Sequence, residues 1–178
     1  MAFSEKMGAK TGQNWEGQVN FFDSSSSALN IIRDDSLRKV MSKLVDTSEE
    51  IMRIWVYKCP LSSWQVTQLL FNHQFVVFQT PDWCWSIEKD DRRILIQKSK
   101  SFSCVRDRVN NEPRKKNVTQ MGCDEGHKTI KDLIRFLYET NELYIKYDLL
   151  NNNCQDFAAR IFDEFAKTKH HDKVFGSG

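Results

Sequence analysis

HQFVVFQTPDWCWSIEKDDRRILIQKS, His73–Ser99, is the stretch on which the fold turns. It holds three runs rich in β-branched and aromatic residues, 73–79, 83–89 and 93–98, separated by the turn-forming triplets TPD and DDR. Short runs joined this tightly predict an antiparallel meander. With the first turn centred on Thr80 and Pro81, Phe78 faces Trp83, Val77 faces Cys84, Phe75 faces Ser86 and His73 faces Glu88. A one-residue slip would pair His73 with Ile87 or Lys89 instead. Side chains alternate between faces, so Val76, Phe78, Trp83, Trp85 and Ile87 make one apolar face. The other face carries His73, Ser86 and Glu88 among its residues, as the wall of an active site does.

Working outward, IMRIWVYKC (51–59) alternates like a strand and precedes the meander. Leu37, Val40, Met41 and Leu44 recur at helical spacing over 35–46, and Ile130, Leu133, Ile134 and Leu137 do so over 127–139. Ser62 or Ser63 caps a short helix that runs through 71. The segment 104–120 is polar, basic and turn-rich and reads as a long loop. LYIKYDLL reads as a short strand or an extended connector. The expected class is α+β, with residues 35–168 as a single domain. Residues 1–34, with their run of four serines, read as a flexible segment from which Phe21, Phe22, Ile31 and Ile32 can still dock, and 169–178 as a disordered tail.

The composition narrows the function. A formal net charge of +2 gives no strong pull toward nucleic acid. No apolar run resembles a signal peptide or is long enough to span a bilayer, so a soluble cytoplasmic protein is expected. Five cysteines without paired spacing fit free thiols in a reducing compartment. Cys123 and His127 are four apart with no second ligand pair, so neither a metal nor any other cofactor is expected.

The chemistry points to YDLLNNNCQDFAARIFDEFA, Tyr147–Ala166. Phe157, Ala158, Ile161, Phe162 and Phe165 form one stripe of a helix over 153–167, and Cys154 opens it on the inward side. Asn152 or Asn153 suits the capping position. A thiol at a helix N-terminus faces unpaired N–H groups and the positive end of the macrodipole, and both favour the thiolate. The alternative is an ordinary buried cysteine, so the argument needs a base. His170 and His171 lie in the tail and His127 sits among acidic residues. His73, opening an apolar strand, is the base of choice.

A histidine that begins a meander strand, followed much later by an Asn-Cys pair opening a helix, resembles the circularly permuted papain-like proteins. These include lecithin retinol acyltransferase-like proteins and the PPPDE peptidases. The likeness covers roughly residues 51–167, with Asn153, Cys154 and Phe157 at the positions of the cysteine block. It implies a permuted papain-like domain with Cys154 as nucleophile, His73 as base and a third polar residue orienting the imidazole. Where acyltransferase-like members often have a second histidine, this chain offers Glu88 or Ser86. The implied activity is that of a cysteine hydrolase or acyltransferase working through an acyl-thioester. The acyl donor, protein or lipid, is left open. Arg106, Arg108, Arg114, Lys115 and Lys116 give the loop the charge for a weak contact with an anionic membrane surface. The alternative function is an inactive interaction module that keeps the fold.

Overall fold

The structure is a computed structural model and describes residues 14–60, 72–114, 117–148 and 151–168. The proposed helix through 71, Lys115, Lys116 and the tail lie outside them. Along the chain come β1 (Gln18–Asp23), β2 (Ala28–Arg33), α1 (Leu37–Leu44), β3 (Arg53–Pro60), β4 (Asn72–Gln79), β5 (Cys84–Lys89) and β6 (Ile94–Ser99). They are followed by α2 (Phe102–Asp107), β7 (Arg108–Val109), β8 (Glu112–Pro113), β9 (Thr119–Glu125), α3 (Ile130–Glu139) and α4 (Cys154–Phe165). The protein is α+β. Seven strands form one sheet in the order β2-β1-β6-β5-β4-β3-β9, antiparallel throughout except for the parallel pair β1–β6.

The meander is present as β3–β6, but its first hairpin is displaced from the register expected. Val76 pairs with Ile87, Val77 with Ser86, Phe78 with Trp85 and Gln79 with Cys84. The turn closes through the Thr80 amide donating to the Trp83 carbonyl at 2.9 Å, which puts Pro81 and Asp82 at its centre. The pairing therefore differs by two positions, not one. Because side chains alternate, a two-residue shift changes partners but keeps every side chain on its face.

Those faces bury unequal cores. Val76, Phe78, Trp85 and Ile87 join α1, α3 and α4 in the main cluster through Leu37, Met41, Leu133, Leu137, Phe157, Ile161, Phe162 and Phe165. Burying each such large side chain is worth roughly 1.5–3 kcal/mol, so the stripe holds α4 on the sheet more than its intrinsic propensity does. Phe75, Val77, Cys84, Tyr57, Cys59 and Val105 form a smaller cluster on the opposite face, under α2.

Two regions differ from the sequence reading. Within the segment expected to be flexible, residues 18–33 form a hairpin that joins the sheet beside β6, with Val19, Phe21 and Ile32 almost wholly buried. The serines are its turn, so their low complexity marks a loop between strands. The 104–120 loop is structured too: α2 leads into the β7–β8 hairpin, then β9 pairs with β3. Asn110 and Asn111 both take positive φ, at 49° and 69°, as a two-residue hairpin turn of the primed type requires.

Candidate active site

The β4–β5 ladder ends at the Val76–Ile87 pair, although β4 reaches back to Asn72 and β5 on to Lys89. The N-terminus of α4 meets β4 beside this stretch. The Cys154 sulfur lies 3.7 Å from the Asn72 carbonyl oxygen and accepts a hydrogen bond from the Gln74 backbone N–H. It thus sits against the main chain on both sides of His73, and the imidazole hydrogen-bonds to it.

The cap of α4 leaves the cysteine amide for the site. Asn153 Oδ1 accepts from the amides of Gln155 at 2.8 Å and Asp156 at 3.1 Å. The Asp156 carboxylate accepts from the Asn153 amide at 3.1 Å, which completes a capping box. The Cys154 N–H donates instead to the Tyr147 hydroxyl, and that hydroxyl donates to the Cys154 sulfur. Tyr147 and Arg114 are the residues of the candidate site that sequence reasoning missed. The signal for Tyr147 was position: an aromatic carrying a polar tip seven residues before Cys154.

On its other side, His73 Nε2 is 2.5 Å from Glu88 Oε2. Glu88 does not stand directly across from His73 in the observed register, but it lies on the same face one diagonal away, within reach of a long side chain. Glu88 in turn receives two hydrogen bonds from Arg114, Nη1 to Oε2 at 3.0 Å and Nη2 to Oε1 at 2.6 Å. The guanidinium lies over the Phe75 ring, 3.7 Å from its centroid, and the Arg114 side chain is only 3% exposed. Arg114 is thereby withdrawn from the basic surface expected for membrane contact. Arg106 is likewise engaged, paired with Asp107 at 2.7 Å.

Ser86 is elsewhere. It is fully buried opposite Val77 and accepts from Gln97 Nε2 at 2.9 Å. Gln97 also donates to the Arg108 carbonyl and accepts from the Asn110 amide. Ser86 thus helps dock the β7–β8 hairpin, while Glu88 holds the imidazole. His127 is also apart from the site, with Nδ1 on the Phe165 carbonyl at the far end of α4. Among the described residues, no group of three or more histidine, cysteine and carboxylate side chains is arranged to hold a metal ion.

Charges alternate along the chain of contacts. Burial opposes the imidazolium, yet its hydrogen bonds to Cys154 and Glu88 outweigh that and push His73 up to about 10. Burial likewise opposes the Glu88 carboxylate, but Arg114 and His73 hold it well below the usual carboxylate range. For Cys154, burial favours the thiol, and the contacts with His73, the Gln74 amide and Tyr147 outweigh it and bring its pKa below that of an ordinary cysteine. Burial and the neighbouring sulfur hold the Tyr147 phenol protonated well above its ordinary range. Across β3, Cys59 stands opposite His73, and its thiol is pushed up by burial.

A second buried cluster braces the connector that carries Tyr147. Adjacent strand residues point to opposite faces, so Lys89 turns away from Glu88's site and donates to the Ile145 carbonyl at 2.8 Å. Glu142, fully buried, accepts from Arg160 Nε at 2.7 Å, and Arg160 Nη2 also donates to Asn152 Oδ1 at 3.1 Å. The tyrosine segment, the asparagine run and α4 are thus tied together just behind the sulfur.

An open cleft of about 470 Å³ shares Arg114 with this site and is lined further by Tyr57, Arg106, Asp107, Asn117, Val118 and Gln120. Its lining is mainly polar. No protein family, curated protein or solved structure matches the chain, so these residues alone carry the functional argument.

Proposed function

We propose that the protein is a cysteine-nucleophile hydrolase or acyltransferase whose domain is a permuted papain-like one. The observation that carries this reading is the contact between Cys154, at the start of α4, and a His73 imidazole that is itself held by Glu88. A structural cysteine gains nothing from a buried imidazolium with its own carboxylate. A nucleophile gains its thiolate.

In the proposed reaction the Cys154 thiolate attacks the acyl donor's carbonyl carbon and forms a carbon–sulfur bond. Once the carbon–sulfur bond forms, the sulfur gives up its claim on the Tyr147 hydroxyl, which then donates to the resulting oxyanion while the Cys154 N–H continues to hold the phenol oxygen. Collapse breaks the bond to the leaving group, which takes the His73 proton. Neutral His73 then accepts a proton from water or another acceptor nucleophile. Attack on the thioester releases the acyl group and restores the thiolate–imidazolium pair.

The acyl donor is a peptide, an isopeptide or a lipid ester. Intact-mass screening with ubiquitin-like C-terminal electrophiles, peptide electrophiles and lipid fluorophosphonates tests both parts of the reading. Labelling of Cys154 by at least one of the three, lost in Cys154→Ala, is expected, and the probe that labels names the substrate class. Labelling by the lipid probe alone would make the substrate an ester lipid, and labelling by none would favour an interaction module.

A further inference from the structure

We propose that Arg114 is a positioning residue that fixes the protonation state of Cys154 from two contacts away. This rests on the proposed Cys–His chemistry and adds its control by the β7–β8 hairpin, which ends at Arg114. Arg114 touches neither the sulfur nor the imidazole among the contacts seen. It binds both oxygens of Glu88, and the Oε2 that meets His73 is one of the two.

The argument is one of charge order. Arg114, Glu88, His73 and Cys154 run plus, minus, plus, minus through a buried line, with Glu88 only 6% exposed and Cys154 3% exposed. Without the arginine the line has one buried negative charge too many. The least costly relief is a proton: taken by Glu88, which then no longer stabilises the imidazolium, or by the sulfur directly. Either way the nucleophilic form is lost. The other groups facing this line cannot replace the missing charge. Cys59 from β3 and Tyr147 from the connector bring no positive charge, and Asp107 beside Arg114 is an anion paired with Arg106.

The geometry is specific to arginine. A planar fork reaches two carboxylate oxygens while its face lies on Phe75. Its backbone amide is fixed too, donating to the Asp107 carbonyl at 2.7 Å. The hairpin that delivers it is docked by Gln97 through Arg108 and Asn110. A surface hairpin is therefore wired to the nucleophile.

The test is the rate of Cys154 alkylation by iodoacetamide across pH, read by peptide mapping, in wild type, Arg114→Met, Arg114→Lys and Glu88→Gln. Expected for Arg114→Met is a midpoint raised by about one unit or more, a loss of roughly tenfold or more at any pH well below the wild-type midpoint, with an unchanged limit at high pH. Arg114→Lys is expected to recover part of the shift, since it restores charge without the fork. Where Arg114→Met is poorly folded, Glu88→Gln and its double variant with Arg114→Met decide. The double variant should titrate like Glu88→Gln alone, because that carboxylate is what joins Arg114 to His73, and its other contact, with the Cys59 thiol, carries no charge. An Arg114→Met profile overlaying wild type, or a further equal shift in the double variant, overturns the role of Arg114. An ordinary thiol profile for Cys154 in the wild type itself would instead remove the proposed chemistry.

Discussion

His73 Nε2 and Glu88 Oε2 are 2.5 Å apart in a pocket where the two side chains are 12% and 6% exposed. A hydrogen bond to a carboxylate orients the imidazole and stabilises its charged form. It also places a charged line inside the protein, whose consequences reach both turnover and stability.

On the proposed mechanism, removing the Cys154 sulfur removes the reaction. Cys154→Ala should abolish turnover, and His73→Ala should be nearly as severe, because groups that act as one unit do not contribute additively. Steady-state kinetics on the substrate class found by probe labelling checks this. Residual activity in Cys154→Ala would point to another residue.

Tyr147→Phe should separate chemistry from folding. The ring stays, so packing loss should be small, while the sulfur loses a hydrogen bond and the oxyanion a donor. Loss of one such donor costs about 10²–10³ in kcat elsewhere, and a fall toward that size is expected here with the melting temperature little changed. An unchanged kcat would leave Tyr147 with a packing role only.

Stability should depend on pH through the same groups. Glu88 has a depressed pKa, so the native state binds fewer protons than the unfolded chain. Its contribution is present above its unfolded value near 4.5 and is lost as pH falls below it. His73 has a raised pKa, so its contribution is complete below 6.5 and is lost as pH rises through about 10. Urea midpoints across pH should therefore fall on both sides of a plateau. Glu88→Gln should be destabilised at neutral pH by about 3–5 kcal/mol, the cost of leaving a buried arginine unpartnered, and should lose the acid-side slope due to this carboxylate.

A chain beginning at Asp34 should not fold. It would lack β1 and β2, strip the parallel partner from β6 and remove Val19 and Phe21 from the main core. Soluble expression and circular dichroism report the outcome, and a cooperative melt from the truncated chain would show the first hairpin to be an accessory.

Much of this was legible because the signals were strong and local. The helical stripe from Phe157 to Phe165 and the turns after Gln79 and Lys89 located α4 and the meander. His73 and Glu88 were found together because alternation constrains faces even when register is off by two. Arg114 was not legible as part of the site. Its polar, basic surroundings looked like a solvated loop, and only the Asn110–Asn111 turn hinted at a hairpin that carries it inward. Ser86 shares Glu88's face, but Gln97, directly opposite it on the next strand β6, engages it, and a hydroxyl and a carboxylate on one face carry no mark in the sequence of which is taken up by such a cross-strand partner. The strands at 18–33 were hidden because β1 pairs with β6 across more than seventy residues.

The central claim is that Cys154 exists as a thiolate because His73 is an imidazolium beside it. The direct measurement is an ultraviolet titration of thiolate absorbance, wild type minus Cys154→Ala, repeated in the His73→Ala background. The account predicts a Cys154 thiolate titrating below an ordinary cysteine, with a midpoint that rises when His73 is removed. A wild-type thiolate that titrates like an ordinary cysteine or higher, unmoved by His73→Ala, would contradict it.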